Sequence, residues 1–347
     1  MKAAVFHAPH DVRIEEVPKP SVGPAEVVLR VFRCAVCGTD KRIFLHGQKN
    51  VIPPAITGHE IVGLIHEIGA GVGQGLKIGQ RVIVATVIGC GQCIYCRRKQ
   101  YNLCESFTAL GYDYSGGFAQ YMKIPAMAVA QGNLIPIPES MPLDRAALIE
   151  PLSCCLNGEE YVAAQPDDRA VVFGAGPIGL MHAGILKARG CKPIMVADIS
   201  DERLAYVREF GLGTPVNTAG GDAVEKIIET GGGEKFDVVI TATSVKVTQA
   251  DALRLARKKA RICFFAGIPK DDPILGIDTN LLHYNEISLF GAFASNLQHY
   301  HQAVAMVGRD DLPWDRFVTH KFKLDDILKA YAVVEAGQGI KTVIDTE

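Results

Sequence analysis

Four cysteines, Cys90, Cys93, Cys96 and Cys104, lie within the fifteen-residue stretch CGQCIYCRRKQYNLC. Two Cys-x-x-Cys steps and a fourth cysteine give the spacing of a tetrahedral zinc site, and four thiolates leave no coordination position open. The residues between them are mainly polar and charged, so the segment has little apolar material for a core of its own. The spacing therefore predicts a structural zinc ion that stabilises a surface lobe, with four unligated cysteines as the alternative.

A second set of metal-binding residue types is spread over three separate segments. The segment CGTD supplies Cys37, Thr39 and Asp40, the segment GHE supplies His59 and Glu60, and the segment EPLSCC supplies Glu150. A thiolate, an imidazole and a carboxylate suit a zinc ion that keeps one position for water or substrate. Spacing alone leaves open whether these three segments meet in space.

The segment VVFGAGPIGL places the pattern G-x-G-x-x-G directly after an apolar run and before a helical pattern. In this context Gly174, Gly176 and Gly179 predict a dinucleotide-binding turn, with the pyrophosphate at the positive N-terminus of the helix. Pro177 and Ile178, between the last two glycines, belong to the same predicted site. The alternative is a structural turn between a strand and a helix.

The next apolar run ends in VADIS, where Asp198 lies nineteen residues after Gly179. A carboxylate at this place can accept hydrogen bonds from the adenosine ribose hydroxyls and repels a 2′-phosphate, which predicts NAD rather than NADP. Arg203, five residues later, is the main argument against this choice, because a nearby guanidinium can hold a 2′-phosphate. The other interpretation of Arg203 is an exposed charge on a helix.

The elements that must position these residues fall into three regions. Residues 1–150 form a first domain, whose first 130 residues or so contain short β-rich runs broken by glycine and proline, such as EVVLRVF and QRVIVAT. In residues 151–290, apolar runs alternate with helical segments, which predicts a parallel sheet covered on both faces. Residues 291–347 are too few for a domain and are expected to fold back onto the first region.

Taken in order, the segments CGTD, GHE, the four-cysteine stretch, GGFAQY, EPLSC, GAGPIG and VADIS resemble one known family. The chain is similar to the zinc-dependent medium-chain alcohol dehydrogenases, in particular to the polyol (sorbitol), threonine and butanediol dehydrogenase branch. The resemblance runs along nearly the whole chain. It implies an α/β fold with a GroES-like, β-rich catalytic domain at 1–150 and a Rossmann domain, built on a doubly wound parallel sheet, at 151–290.

The resemblance also assigns the metal ligands. It implies that Cys37 and His59 bind a catalytic zinc ion, and that either Glu60 or Glu150 is the third ligand. It further implies that the four clustered cysteines bind a structural zinc ion, which gives two zinc ions per chain.

The resemblance extends to the path of the proton. Thr39 is expected to accept the proton of the alcohol, and Asp40 is expected to hold the far ring nitrogen of His59. Family members often carry a histidine five residues after the zinc cysteine, where this chain has Arg42. Either another group, for which His46 is a candidate, passes the proton on, or Arg42 meets an anionic group of the substrate.

These features predict a zinc-dependent oxidoreductase that transfers a hydride between a polyol or secondary alcohol and NAD. L-threonine and a sugar phosphate (polyol phosphate) are the alternative substrates. A protein that binds zinc and a dinucleotide without turnover is the alternative of another class. The trio Cys37, His59 and Glu150 favours the enzyme, because a non-catalytic protein has no chemical need for an open zinc site.

Composition bounds the remaining possibilities. The chain has 347 residues, is 48% hydrophobic and 21% charged, and carries a formal net charge of −2, as expected for a globular protein of two domains. The absence of a long basic run argues against nucleic-acid partners, and the absence of a long apolar run argues against a membrane span. The N-terminal residues lack the features of a signal peptide, so a cytoplasmic protein is expected. A homodimer or homotetramer is a separate expectation.

Two further histidine-containing segments are not expected to bind metal. His66 and Glu67 lie seven residues after His59 and Glu60 in the same apparent strand, and an odd offset directs side chains to the opposite face. His299 and His301 are two residues apart in a helical pattern, so they do not share a face and are interpreted as solvated.

Overall fold

The computed structural model describes all 347 residues, which form two compact units, Met1–Ser153 with Ser295–Glu347, and Cys154–Ala294. The strands are β1 (Lys2–Ala8), β2 (Asp11–Glu16), β3 (Val27–Val36), β4 (Ala55–Ile56), β5 (Glu60–Ile68), β6 (Arg81–Val84), β7 (Val87–Ile88), β8 (Thr108–Ala109), β9 (Tyr121–Ile124), β10 (Leu134–Pro136), β11 (Ala170–Phe173), β12 (Ile194–Asp198), β13 (Thr214–Asn217), β14 (Phe236–Thr241), β15 (Ala256–Phe264), β16 (Ser288–Gly291), β17 (Val318–Lys323) and β18 (Lys341–Asp345). The helices are α1 (Gly38–His46), α2 (Ile94–Arg97), α3 (Ala126–Gln131), α4 (Leu143–Ala146), α5 (Ile149–Val162), α6 (Pro177–Ala188), α7 (Asp201–Phe210), α8 (Ala223–Thr230), α9 (Lys246–Leu255), α10 (Thr279–Asn285), α11 (Leu297–Val307) and α12 (Ile327–Glu335), with short 3-10 helices at Tyr101–Leu103, Trp314–Arg316 and Leu324–Asp326.

The first unit is built on a seven-stranded sheet with the order β10-β6-β5-β3-β18-β17, in which β9 also pairs with β3. A smaller sheet, β2-β1-β4, adds three strands. The core of this unit is apolar and fully buried at side chains such as Leu29, Ile61, Ile65 and Phe118. The C-terminal strand β18 pairs antiparallel with β3, so the end of the chain is part of the central sheet of the first unit.

The register of three neighbouring strands brings distant residues together at one end of this sheet. Ala35 of β3 lies opposite Glu60 of β5, and Val36 of β3 lies opposite Thr342 of β18. Cys37 directly follows Val36, while Lys341 directly precedes Thr342. The last residues of β3 are therefore flanked by the first residues of β5 on one side and of β18 on the other.

The second unit contains a six-stranded, all-parallel sheet with the order β13-β12-β11-β14-β15-β16. Helices α6 to α10 connect successive strands of this sheet, and strand order reverses between β11 and β14, as in a doubly wound Rossmann fold. Every residue of β11 and β14 is buried, which matches their nearly continuous apolar sequences. The predicted α/β fold class is confirmed.

Two details differ from the sequence-based expectations. The sheet contains the edge strand β13, whose sequence TPVN is short, polar and interrupted by proline and therefore lacks the apolar run of its neighbours. His299 is not solvated but buried, and its Nδ1 atom accepts a hydrogen bond of 3.1 Å from the backbone N–H of Asn296 at the start of α11. His301 is exposed, as expected.

None of the helices has both the length and the apolar character needed to cross a membrane.

Candidate metal and dinucleotide sites

The first candidate site lies at the end of β3 and the start of β5. The potential ligand atoms of Cys37, His59 and Glu60 all lie within 4.8 Å of one another. His59, just before β5, and Glu60, its first residue, are buried, whereas Cys37 is partly accessible. A thiolate, an imidazole and a carboxylate gathered in this way fit a zinc ion and leave a coordination position for a further ligand.

Asp40 holds two of these residues in place from the first turn of α1. Its Oδ2 atom accepts a hydrogen bond of 2.8 Å from the backbone N–H of Cys37, the residue that caps the helix. Its Oδ1 atom lies 3.4 Å from Nδ1 of His59, and the carboxylate is almost fully buried. The arrangement directs the Nδ1 side of the imidazole towards the carboxylate and leaves Nε2 for a metal ion.

The charges around His59 favour its protonated form when no metal is bound. Burial disfavours the imidazolium, but the neighbouring groups of Asp40, Tyr112 and Cys37 outweigh burial and raise the pKa of His59 well above its ordinary value. Protons therefore compete with a metal ion for this ring, and metal binding weakens as the pH falls.

Glu60 forms a buried ion pair with a residue from the other end of the chain. Nζ of Lys341 lies 2.6 Å from both carboxylate oxygens of Glu60, and both side chains are at most 5% exposed. Burial lowers the pKa of Lys341, but the charges of Glu60, Cys37 and Glu150 outweigh burial and raise it above the ordinary lysine value. The ammonium group thus neutralises the carboxylate of Glu60, which is itself one of the candidate metal ligands.

Glu150 lies near Cys37, His59 and Glu60 but does not belong to the group of closely spaced ligand atoms that these three residues form. It is partly buried in the first turn of α5, and it is not among the residues whose ligand atoms lie within 4.8 Å of one another. Burial is the main cause that raises the pKa of Tyr112, and the charge of Glu150 adds to it. Glu150 is therefore within electrostatic reach of the site, and Glu60 and Glu150 both remain candidates for the third ligand.

The residues predicted for the proton path lie along α1. Thr39 is partly buried in the first turn, next to Asp40. Arg42 is exposed, and its Nη2 atom donates a hydrogen bond of 3.0 Å to Oε1 of Gln48. His46 is exposed at the end of the helix. The partner of Arg42 is thus a neutral amide, and its guanidinium keeps its charge available for an anion.

The four clustered cysteines form the second candidate metal site. All four are free thiols, and their sulfur atoms lie within 4.8 Å of one another, with 4.0 Å between Sγ of Cys90 and Sγ of Cys96. A tetrahedron with zinc–sulfur bonds of about 2.3 Å has edges of about 3.8 Å, so the spacing fits zinc. Backbone N–H groups of Gln92 and Cys93 lower the pKa of Cys90 to about 6, which favours the thiolate that a metal ion needs.

The lobe is fixed to helix α3 through Gly89. The side chain of Gln131, the last residue of α3, accepts a hydrogen bond of 3.1 Å from the N–H of Gly89 and donates one of 2.6 Å to its carbonyl oxygen. A Cβ atom at Gly89 would lie only 2.6 Å from Sγ of Cys96, so a larger residue would displace the sulfur.

The candidate dinucleotide site is the turn between β11 and α6. Gly174 has φ +102°, a conformation that favours glycine, and Gly176 is the N-cap of α6, with Pro177 as its first residue. A Cβ atom at Gly179 would lie 1.7 Å from the carbonyl oxygen of Gly174, so only glycine allows this close approach of helix and turn. Ile178 follows in the first turn of the helix.

Asp198, at the end of β12, is tied to this turn. Its Oδ2 atom accepts a hydrogen bond of 2.8 Å from the N–H of Ala175, and its Oδ1 atom accepts one of 2.9 Å from the N–H of Ser200. Nη1 of Arg203 lies 3.9 Å from the position that a Cβ atom on Gly176 would take. Arg203 is partly buried and reaches back to the turn, so it is placed beside the predicted phosphate site and not only on the helix surface.

Comparison with known proteins identifies the family. The family profile of the alcohol dehydrogenase GroES-like domain matches residues 23–139, and that of the zinc-binding dehydrogenases matches residues 177–309. An L-threonine 3-dehydrogenase from Pyrococcus horikoshii is 31% identical over 336 residues, which cover 94% of this chain and 92% of the relative. This chain belongs to the zinc-dependent medium-chain alcohol dehydrogenase family.

Two solved structures show how widely this dehydrogenase fold is shared. An alcohol dehydrogenase from Escherichia coli CFT073 in complex with NADH is 28% identical, has a TM-score of 0.91 and covers 100% of this chain and 99% of its own. A zinc-binding dehydrogenase from Sinorhizobium meliloti 1021 bound to NADP is 26% identical, has a TM-score of 0.91 and covers 99% of each chain. The resemblance predicted from the motifs is thereby confirmed at the level of the family.

Two residues at the first metal site have no signal in the sequence motifs of this dehydrogenase. Lys341 lies in the strand KTVID, whose polar residues Lys341, Thr342 and Asp345 do not look like core residues, although every residue of the strand is buried. Tyr112 lies in a loop, and its hydroxyl oxygen is 3.3 Å from Nδ1 and 3.5 Å from Nε2 of His59. The burial of Lys341 appears only in the structure, where a buried lysine needs an acidic partner.

Replacement of Cys93 by serine is expected to destabilise the dehydrogenase without removing its catalytic metal. The change opens the tetrahedron and leaves three thiolates around a weakened site. We expect the protein to lose one zinc ion per chain and its melting temperature to fall by about 5–10 °C, as a loss of several kcal/mol implies for a chain of this size. Differential scanning calorimetry and elemental analysis measure both quantities. An unchanged melting temperature together with an unchanged zinc content would contradict a metal role for the lobe.

Proposed function

We propose that this dehydrogenase oxidises a polyol or a secondary alcohol with NAD as the hydride acceptor, and that it holds two zinc ions per chain. The observation that carries the proposal is the convergence of Cys37, His59 and Glu60 at the end of one sheet, with Glu150 nearby. Four sulfur ligands, as in the lobe, close a zinc site, whereas three mixed ligands leave room for an alcohol. A protein that binds zinc and dinucleotide without turnover has no chemical need for a zinc site with an open coordination position.

The residues of the chain have distinct roles in this reaction. A zinc ion at the site supplies a Lewis acid that makes a bound alcohol more acidic, and bound NAD accepts the hydride. Asp40 fixes the orientation of His59, and the buried Lys341 offsets the charge of Glu60. Thr39, in the turn that follows Cys37, would receive the proton that leaves the alcohol and pass its own hydroxyl proton on to a ribose hydroxyl of bound NAD.

The choice of NAD rests on Asp198. Its carboxylate is held at the glycine turn by two backbone N–H groups and retains lone pairs for the ribose hydroxyls. A negative charge there disfavours the 2′-phosphate of NADP. Arg203 also reaches the turn, and the two structural neighbours were solved with NADH and with NADP respectively. We assign Arg203 to the pyrophosphate or ribose side of NAD.

Replacement of Asp198 by alanine is expected to narrow the preference for NAD. The unmodified enzyme should use NAD with a kcat/KM about a hundredfold higher than with NADP, and the variant should reduce this ratio to about tenfold or less, since about 1.4 kcal/mol of charge repulsion corresponds to each factor of ten. Both cofactors should lose some efficiency, because Ala175 and Ser200 lose their acceptor. Steady-state kinetics with both cofactors give the ratio, and Arg203→Ala is the matched control.

Equal rates with NAD and NADP in the unmodified enzyme would contradict the role of Asp198. A selective loss of NADP activity in Arg203→Ala would then make Arg203 a ligand of the 2′-phosphate.

The substrate class has two further candidates with support of their own. L-threonine is favoured by the similarity to an L-threonine 3-dehydrogenase at 31% identity. A sugar phosphate or polyol phosphate is favoured by the exposed, singly hydrogen-bonded guanidinium of Arg42, which is shaped to bind a phosphate through two hydrogen bonds. We place both below a neutral polyol or secondary alcohol, because L-threonine is supported by sequence similarity alone and the phosphate by the exposed Arg42 alone.

The test is a comparison of substrates with the zinc-loaded enzyme. NADH formation is measured with D-sorbitol, 2,3-butanediol, L-threonine and a polyol phosphate under identical conditions. We expect the highest kcat/KM with one of the two neutral alcohols. A preference for L-threonine or for the phosphate would replace the proposed substrate class, and the absence of NADH with every compound would favour the non-catalytic alternative. A homodimer or homotetramer stays a prediction that light scattering can check.

A further inference from the structure

The loop that carries Tyr112 is fixed against the segment that carries His59. Gly111 has φ +84°, and a Cβ atom on it would lie 2.7 Å from the carbonyl oxygen of Gly58. A Cβ atom on Gly116 would lie 2.2 Å from the same oxygen. Glycine at both positions therefore allows the loop and the segment just before His59 to pack backbone against backbone, which fixes the position of Tyr112 relative to the imidazole.

Polar contacts on the outer side of the loop add to this rigidity. Oδ2 of Asp113 accepts a hydrogen bond of 2.8 Å from the N–H of Ala109 and one of 3.2 Å from the side chain of Asn50. The N–H of Gly111 donates a hydrogen bond of 2.8 Å to the carbonyl oxygen of Tyr114. The Tyr112 side chain thus extends from a tight, hydrogen-bonded turn and not from a loose segment.

Metal binding removes the partner that the Tyr112 hydroxyl has in this structure. The hydroxyl oxygen lies 3.3 Å from Nδ1 and 3.5 Å from Nε2 of His59. When one ring nitrogen binds a metal ion and the other donates to Asp40, neither has a lone pair left for a hydroxyl donor. The phenol would then have an unused donor within reach of a metal ligand, and an oxygen of a substrate bound at the same metal could accept from it.

We propose that the Tyr112 hydroxyl hydrogen-bonds a second polar group of the substrate, on the carbon next to the reacting carbon, and so selects vicinal diols over simple secondary alcohols. The inference rests on the proposed function, because it places the reacting oxygen on the metal held by Cys37 and His59. Adjacent oxygens of a diol lie about as far apart as hydrogen-bonded atoms, so a donor within hydrogen-bond distance of a metal ligand can reach the second one. Tyr112 is then a specificity-determining residue.

The test compares a diol with the alcohol that lacks one hydroxyl. In the zinc-loaded enzyme, Tyr112→Phe should lower kcat/KM for 2,3-butanediol about tenfold, the value of one hydrogen bond of about 1.4 kcal/mol, and should change that for 2-butanol less than about twofold. Tyr114→Phe is the matched control, because Tyr114 lies in the same loop with 41% of its surface exposed. Zinc content should equal that of the unmodified enzyme in both variants.

A second readout does not depend on turnover. In an enzyme that carries cobalt at the site of Cys37 and zinc in the lobe, thiolate ligation of the cobalt gives an absorption that reports on ligands entering the metal site. Titration with 2,3-butanediol and with 2-butanol gives a dissociation constant for each, and Tyr112→Phe should raise only the constant of the diol, again about tenfold. If the unmodified zinc enzyme oxidises neither alcohol, the proposed function is wrong. The titration then still tests whether Tyr112 binds the second hydroxyl of the diol.

Several results would overturn the inference. Equal effects on both alcohols, or no effect on either, would show that Tyr112 does not touch the second hydroxyl. Loss of zinc in Tyr112→Phe would make Tyr112 a residue that positions His59 or binds the metal. An effect on L-threonine that is absent with the diol would overturn the assignment to vicinal diols.

Discussion

Replacement of Cys37 by serine is expected to lower kcat more than about a hundredfold while the protein stays folded. Changes to residues that merely support a metal ligand already cost about 10–100-fold in affinity or activity, so the loss of a thiolate ligand should exceed this range. The fold should persist because Cys37 is the N-cap of α1, and serine is among the preferred residues at that position. The measurement is kcat with the best alcohol substrate, together with zinc content and melting temperature.

The matched comparison is Cys93→Ser in the lobe. We expect each variant to lose one zinc ion, but Cys37→Ser should lose turnover and keep its melting temperature, whereas Cys93→Ser should show the larger fall in melting temperature. A Cys37→Ser variant that retains its full zinc content and the turnover of the unmodified enzyme would contradict the assignment of the catalytic metal to this end of the sheet.

Replacement of Lys341 by methionine is expected to destabilise the protein by about 3–5 kcal/mol. The change leaves the carboxylate of Glu60 buried at 1% exposure without its counter-ion, and breaking a buried pair in this way is one of the costliest single substitutions. Urea unfolding of the variant and of the unmodified protein, both free of metal, gives the difference in free energy of unfolding. Metal must be absent because a zinc ion could bind the released carboxylate and offset its charge.

Two controls separate the ion pair from a general effect of losing lysine. Lys321→Met removes a lysine from the neighbouring strand β17, where its pair with Asp144 is 39% exposed on each side, and should cost at most about 1 kcal/mol. The double variant Glu60→Gln with Lys341→Met should recover part of the loss because it removes both charges. A cost for Lys341→Met as small as that for Lys321→Met would show that the buried pair does not stabilise the fold.

The sequence was informative where chemistry depends on neighbours along the chain. The lobe spans only residues 90–104, and the glycine turn spans only residues 174–179, so spacing alone predicted their ligands and their conformation. The alternation of apolar runs and helical segments likewise predicted the parallel sheet. Strand β13 was not predicted. An edge strand needs no apolar run, so its sequence TPVN shows no strand pattern.

The first metal site depends on register and not on spacing. Cys37 and Glu60 become neighbours because β3 and β5 pair as they do, and Lys341 joins them through β18 from 281 residues away. No local pattern encodes such a pairing, and only the family resemblance linked the segments in advance. The position of Tyr112 beside His59 could not be predicted either, because it depends on Gly111 and Gly116, which allow two separate loops to approach.

The most direct test of a zinc-dependent dehydrogenase is to follow NADH formation while the catalytic metal is removed and restored. The zinc-loaded enzyme is assayed with 2,3-butanediol and NAD, dialysed against a chelator at mildly acidic pH, where protons compete for His59, and assayed again before and after zinc is returned. We expect NADH formation to disappear with the first zinc ion lost and to return when that ion is restored, while the lobe retains its own. NADH formation that continues at an undiminished rate after all zinc has been removed would contradict a catalytic metal at Cys37 and His59.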